Sequence, residues 1–340
     1  MTSYPQIAPV WPGATRPFVS VMIPTYNCAS YLEHTLESVL AEAWPRSEMQ
    51  IEVVDDRSSK DDPEAVVRRS GGGRVSFFRQ PVNLGPQANF TACVRRATGE
   101  WVHVLHGDDM VASGFYDALR HAAAAAPDIH AFVCAVTTID ADNRPVDSFE
   151  FGPRTAGIVP DLLDKLAVQN LIMFPSIVVR RRAYEQLGGF HPALFHAADW
   201  DMWKRVAARY PVWYEPRRLA LYRVHTQSDT SRLMQTGANI ADARHAIEIA
   251  QEYLPPDRAT QLSASARRYH GLYAMELAQE MAASGRWRAC ARQVVEGLRC
   301  CRDWAVWSAA IGVISGVASA AFRRRAAAEA YRSGSDTRVV

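Results

Sequence analysis

Two adjacent carboxylates, Asp108-Asp109, follow closely on the apolar run Trp101-Val102-His103-Val104-Leu105, with Gly99 ahead of it. A run of this length, aromatic and β-branched, predicts a buried strand that ends in an exposed acid pair. Neighbouring carboxylates repel, so such a pair calls for a cation or for hydrogen-bond donors. Its oxygen ligands suit Mg²⁺ or Mn²⁺, which complete their shells with water and substrate phosphates. The same pair could instead shape a turn or cap a helix. Two further polar clusters sit in equivalent places. Phe18-Val19-Ser20-Val21-Met22-Ile23 runs into Pro24-Thr25-Tyr26-Asn27, and Gln50-Ile51-Glu52-Val53-Val54 runs into Asp55-Asp56-Arg57-Ser58-Ser59.

The elements between these clusters must bring them together. Tyr31, Leu32, Thr35, Leu36, Val39 and Leu40 recur at helical spacing after the first strand. A short helix from Pro63 to Arg69, a Gly71-Gly72-Gly73 turn and a strand from Arg74 to Phe78 follow the second. The loop Asn83-Leu84-Gly85-Pro86 then opens a helix from Gln87 to Ala97, just before the strand that precedes Asp108. This alternation predicts βαβ units, right-handed crossovers and a parallel sheet. Ligands of open sheets bind outside the carboxyl ends of the strands, where all three clusters fall.

In order and spacing, Pro24-Thr25-Tyr26-Asn27, Val54-Asp55-Asp56-Arg57-Ser58, Asn83-Leu84-Gly85, Thr98-Gly99-Glu100 and Gly107-Asp108-Asp109 resemble the nucleotide-sugar-binding half of family 2 glycosyltransferases. The likeness continues through Arg180-Arg181, Leu187-Gly188-Gly189-Phe190, Asp199-Trp200-Asp201-Met202-Trp203 and Ala220-Leu221-Tyr222-Arg223-Val224-His225, and so covers residues 18–228. It implies an α/β, GT-A fold: a Rossmann-like, mostly parallel central sheet flanked by helices, with a C-terminal helical region added. It also implies transfer from a UDP- or dTDP-sugar to a glycan or lipid-linked acceptor, with inversion by single displacement, in cell-envelope or exopolysaccharide synthesis.

The resemblance assigns roles residue by residue. Asp56 matches the carboxylate that accepts a hydrogen bond from the nucleobase, and Thr25 and Tyr26 match positions behind base and ribose, flanked by Pro24 and Asn27. Asp109 matches the direct ligand of Mg²⁺ or Mn²⁺, with Asp108 facing the ribose or a metal-bound water. His225 matches a histidine near the diphosphate that can ligate the metal, and Arg223 is a further diphosphate candidate. Asp199 matches the catalytic base, at the start of a helix marked by Trp200, Trp203, Val206, Ala207 and Tyr210. Gly188, Gly189, Trp200 and Asp201 are candidates for the acceptor or donor side, and Phe190, Phe195, Trp200 and Trp203 for a sugar-stacking face.

Two departures from the pattern stand out. Gly107 occupies a place where many relatives carry an acid, and Ala198 precedes Asp199 where many have Glu. A catalytically inactive nucleotide-sugar-binding partner subunit would keep Asp56 and lose Asp109 or Asp199. Both are present, which favours an enzyme. A Rossmann dehydrogenase or methyltransferase is disfavoured because Pro-Thr-Tyr-Asn replaces the glycine-rich turn after the first strand.

The chain has 340 residues, 48% hydrophobic content and a formal net charge of +2, so no nucleic-acid partner is demanded. Its six cysteines show no metal-finger spacing and suit free thiols in a reducing cytoplasm. Residues 1–17, with four prolines and no basic-then-apolar pattern, are expected to be a flexible tail. Residues 18–228 are expected to be the catalytic domain and 229–340 a helical region, with helices near 235–253, 257–284, 286–301 and 304–325. Trp304 to Phe322 carries no formal charge and is followed by Arg323-Arg324-Arg325. Rich in Ala, Ser and Gly, it predicts peripheral contact with the inner face of the membrane first, helix packing or a homodimer interface second, and a true span last. The segment from Asp140 to Thr155 reads as a hairpin or mobile loop over the site.

Overall fold

β1 (Val19–Thr25), β2 (Met49–Asp55), β3 (Ser76–Arg79) and β4 (Trp101–Val104) alternate with α1 (Ala29–Ala41), α2 (Pro63–Ser70) and α3 (Pro86–Arg96) in the computed structural model of the protein. It describes residues 4–11, 13, 15–225 and 229–316, with the backbone alone for 229–231. β1 pairs in parallel with β2 and β4, and β2 with β3. Every residue of β1 is buried, because helices cover both faces of a parallel sheet. The register sets Thr25 opposite Asp55, and Gly107 N–H donates to Pro24 O at 3.1 Å. The three polar clusters therefore end level, on one sheet edge.

Beyond β4 the sheet becomes mixed. The chain runs through β5 (Met110–Val111), α4 (Phe115–Ala125), β6 (Ala131–Ile139), β7 (Pro145–Phe149), β8 (Gly157–Ile158), α5 (Leu162–Val168), β9 (Ile177–Arg180), α6 (Arg181–Leu187), α7 (Ala198–Arg209) and β10 (Val212–Arg223). The strand order is β3-β2-β1-β4-β9-β6-β10-β5, with β7 on β6 and β8 on β10. β9 is antiparallel to both β4 and β6, whereas β10 is parallel to β6. The segment after Asp140 is the β6–β7 hairpin. Its turn is pinned by Asp140, which accepts from the N–H groups of Asp142 and Arg144.

Residues 4–8, expected to hang free, are packed. Ile7 joins the main apolar core, Gly189 N–H donates to Pro5 O, and the Arg205 guanidinium lies 3.9 Å from the Tyr4 ring centre. An apolar residue and an aromatic ring within a proline-rich stretch are enough to anchor it, although Gln6 and Ala8 stay exposed.

The helical region contains α8 (Asp229–Thr236), α9 (Ala238–Ala250), α10 (Ala259–Ala283), α11 (Trp287–Cys300) and a helix whose residues 304–316 are described. Gly237, at φ +77°, breaks the first expected helix in two. Residues 317–325 of the last expected helix lie outside the described residues. α9 and α10 share a core with the catalytic half: Ala243, Ala246, Ile247 and Ala266 pack in one cluster with Phe174 and Trp203. Among the described residues, no helix is long and apolar enough to cross a membrane. All six cysteines are free, four of them buried.

Candidate active site

A cavity of about 760 Å³ opens along the sheet edge, lined at one end by Pro24, Thr25, Tyr26 and Asp56 and further along by Asp108, Asp109 and Asp199. Thr25 Oγ1 is buried there without a hydrogen-bond partner among the described residues, and Tyr26 is half exposed. Asp56 accepts from Leu84 N–H at 2.8 Å, Gly85 N–H at 2.9 Å and Asn83 Nδ2 at 3.0 Å. It thereby fastens the 83–85 loop as a wall of the cavity. Burial pushes its carboxyl up, against those backbone bonds. Asn27, in the left-handed region at φ 53°, does not line the cavity; its Oδ1 accepts from Ser59 and Lys60 N–H and so holds the next loop.

His106, Asp108 and Asp109 present ligand atoms that all lie within 4.8 Å of one another. Asp109 is fixed by one oxygen: its Oδ1 accepts from Arg223 N–H at 2.9 Å, while Oδ2 is buried with no hydrogen-bond partner among the described residues. Burial first, then the neighbouring Asp108 charge, pushes this carboxyl well above the usual range. A divalent cation would satisfy the orphaned oxygen and remove that penalty, so the residues fit a metal. His106 has no counterpart among the residues singled out from sequence. Its spacing of two and three residues ahead of the acids was the available signal. Its ring packs against those of Phe90 and Phe174, at 5.0 and 4.2 Å, which also touch each other.

Gly107 has a steric reason. A Cβ there would lie 2.7 Å from Thr25 Cγ2 and 2.9 Å from Cys28 Sγ, so the turn leaves no room for an acid. His225 stands behind Asp108, with Nε2 3.2 Å from Asp108 Oδ2, outside the converging set. Arg223 spends its donors on the protein: Nε on Asp108 O, one Nη on Asp140 O and the other on Asn143 Oδ1. It ties the acid turn to the β6–β7 hairpin and shapes the cavity wall.

Asp199 lies in the first turn of α7, facing the cavity. Its Oδ1 accepts from Trp200 N–H at 2.6 Å and its Oδ2 from Asn170 Nδ2 at 3.1 Å. Burial, opposed by these two bonds, pushes its carboxyl up to about 7. Asn170, which sequence alone did not mark, orients it. Asp201 faces the other way and is fully buried. It pairs with Arg205 Nε at 2.9 Å and accepts from Tyr253 Oη at 2.9 Å. Gly188, at φ +82°, ends α6, but neither it nor Gly189, the acceptor- or donor-side candidates, lines the cavity. Their missing Cβ atoms make room for Tyr4 and Thr91. Trp200, Phe190 and Trp203 are buried, and of the four aromatic candidates Phe195 alone is exposed.

Residues 20–188 match the model of the family described as Glycosyl transferase family 2. The chain belongs to this family. By family it is a glycosyltransferase. An uncharacterized protein of Mycobacterium tuberculosis is 28% identical over 242 residues, covering 67% of this chain and 73% of that one. Abequosyltransferase RfbV of Salmonella typhimurium is 34% identical over 98 residues, 28% of this chain and 29% of that one. An uncharacterized glycosyltransferase of Rickettsia felis is matched over 36% of its length, so the chain spans only a part of several of its relatives. Among solved structures, S. aureus TarS superposes with a TM-score of 0.58 at 14% identity, covering 88% of this chain and 54% of that one. Mannosyltransferase PcManGT from Pyrobaculum calidifontis, in complex with GDP-Man and Mn²⁺, gives 0.56 at 21% identity, covering 92% and 83%. These likenesses establish the GT-A fold.

Proposed function

We propose that this glycosyltransferase moves a sugar from a nucleoside diphosphate to a hydroxyl of a glycan or lipid-linked acceptor, by one in-line displacement with inversion. The observation that carries the reading is a single cavity joining an orphaned carboxylate oxygen, Asp109 Oδ2, to a second carboxyl, Asp199, tuned to about 7. Thr25, Tyr26 and Asp56 would hold the nucleoside, and a UDP- or dTDP-sugar is the donor we favour. The solved relatives bound to UDP-GlcNAc and GDP-Man support the donor class. Asp109, with Asp108 and His106, would hold Mg²⁺ or Mn²⁺. When bound, such an ion offsets the negative charge of the diphosphate. The acceptor oxygen forms its bond to the anomeric carbon as the bond to the diphosphate oxygen breaks. The electron pair leaves with the diphosphate, and the acceptor proton passes to Asp199.

A donor-hydrolysis screen over UDP-, dTDP- and GDP-sugars, with and without Mn²⁺, tests the donor and metal. Asp109→Ala should abolish metal-dependent turnover. Asp199→Asn should bind nucleotide like the wild type and lose transfer by at least 10²-fold. Normal transfer by that variant would remove Asp199 from the role of base.

A further inference from the structure

The cavity does not end at Asp199. Its far wall is built by the helical region: Leu233 of α8, Ile240 and Ala243 of α9, and His270 and Tyr273 of α10, facing Phe195. We propose that these helices form the acceptor half of the active site, a saccharide subsite in which His270 Nε2 hydrogen-bonds an acceptor hydroxyl and Tyr273 packs on the sugar ring. The inference rests on the transfer reaction proposed above.

His270 Nε2 is buried and has no hydrogen-bond partner among the described residues, although the ring lies on the cavity wall. A polar atom left so costs stability, unless a ligand completes it. Burial also holds the ring neutral, with its pKa pushed down to about 3, so one nitrogen donates and the other accepts. A neutral hydroxyl suits it better than an anion. The ring sits 4.9 Å from that of Trp200, the neighbour of Asp199 in sequence. Trp200 cannot swing away, since its Nε1 donates to Leu166 O and the Lys204 ammonium lies 3.7 Å from its ring centre. His270 is thus packed, at a tilt of 48°, against a ring that cannot move and that belongs to the residue after Asp199.

Tyr273 is partly exposed and stacks near Tyr269, at 6.4 Å and 14°. With Phe195, Ile240 and Leu233 it offers an apolar aromatic surface, which fits the C–H face of a pyranose. A second contact fastens the two halves together. Asp242 Oδ2 on α9 accepts from the N–H groups of Phe195, His196 and Ala197, at 3.0, 2.6 and 2.7 Å. The loop leading into Asp199 is therefore positioned by the helical region itself.

The test uses the full chain, with a panel of n-octyl β-glycosides as probes, titrated by saturation-transfer NMR in the presence of UDP and Mn²⁺. Wild type should bind at least one glycoside. His270→Phe, which keeps the ring and removes its nitrogens, should weaken that binding tenfold or more, and Tyr273→Ala at the rim should do the same. His270→Gln should recover most of the loss. UDP affinity, measured by calorimetry on the same samples, should stay within twofold and so report an intact fold. Unchanged glycoside affinity in both variants, or no glycoside bound by the wild type while UDP binds, overturns the subsite. Failure of the wild type to bind UDP or GDP at all would instead overturn the donor reading beneath it.

Discussion

In the proposed reaction the pH dependence of Asp199 as base follows from the burial of its carboxyl. Protonated below its shifted pKa of about 7, it can take a proton only above it. Transfer should therefore rise about tenfold per pH unit on the acid side and level off past that value. Asn170 favours the ionised form through its bond to Oδ2. Asn170→Ala should accordingly move the limb to higher pH while leaving UDP affinity intact, and pH–rate profiles of the two proteins would show it. A limb that stays in place would leave Asn170 a bystander. The motif residues do not all do what their types suggest. Arg223 and Asp201 are polar, conspicuous in sequence and committed to the protein, whereas His106 and Asn170 are less conspicuous and face the cavity.

At the scale of elements, the turn after β4 is the most constrained. It must pass within van der Waals reach of the end of β1, and Gly107 is the residue that permits this. Gly107→Ala should cost about 1–3 kcal/mol by overpacking. Mn²⁺-dependent nucleotide affinity should fall with it, as calorimetry on the variant would register. α7 carries a second anomaly. Lys204 is fully buried between α7 and α9, its Nζ donating to Ala246 O, and burial lowers its pKa to about 7. Between that value and 10.5 the unfolded chain holds a proton that the folded chain lacks, so this group's destabilising effect shrinks as pH rises. Lys204→Met should stabilise the fold by about 1–4 kcal/mol at pH 6 and by less at pH 9. Equal melting shifts at the two pH values would contradict the assignment.

For the whole molecule, the helical region is part of the catalytic body and not an appendage. Its α9 and α10 complete the core and wall the cavity, which was not visible from alanine-rich periodicity. Its outer surface is a different matter. On the 304–316 helix, Val306, Ala310 and Val313 point inward, while Trp304, Trp307, Ile311 and Ile314 lie exposed along one stripe. From Met281 onward the sequence holds ten arginines and four acids. An exposed aromatic and aliphatic stripe in an arginine-rich stretch of sequence suits an anionic bilayer surface, and we propose contact there. The full chain should co-sediment with phosphatidylglycerol vesicles at low salt and be released at high salt. A protein that stays wholly in the supernatant at low salt would exclude it.

What the sequence determined is the parallel βαβ half and the acid clusters at its strand ends. Strand and helix periods are local, and parallel register places successive strand ends side by side. Asp56, Asp108 and Asp109 could be placed at one sheet edge for that reason, whereas Asp199, in the first turn of α7, was marked by the family resemblance alone. Tertiary structure alone decided which polar groups remain available once the fold has used the others. It also decided that residues 4–8 are packed, and that β9 enters antiparallel between β4 and β6. Whether a side chain is a ligand or a strut depends on partners far away in the chain: Arg223 on Asp140, Asp201 on Tyr253, His270 on Trp200. No local pattern of residue types encodes such pairings, since they exist only once the packed layers have set the distances.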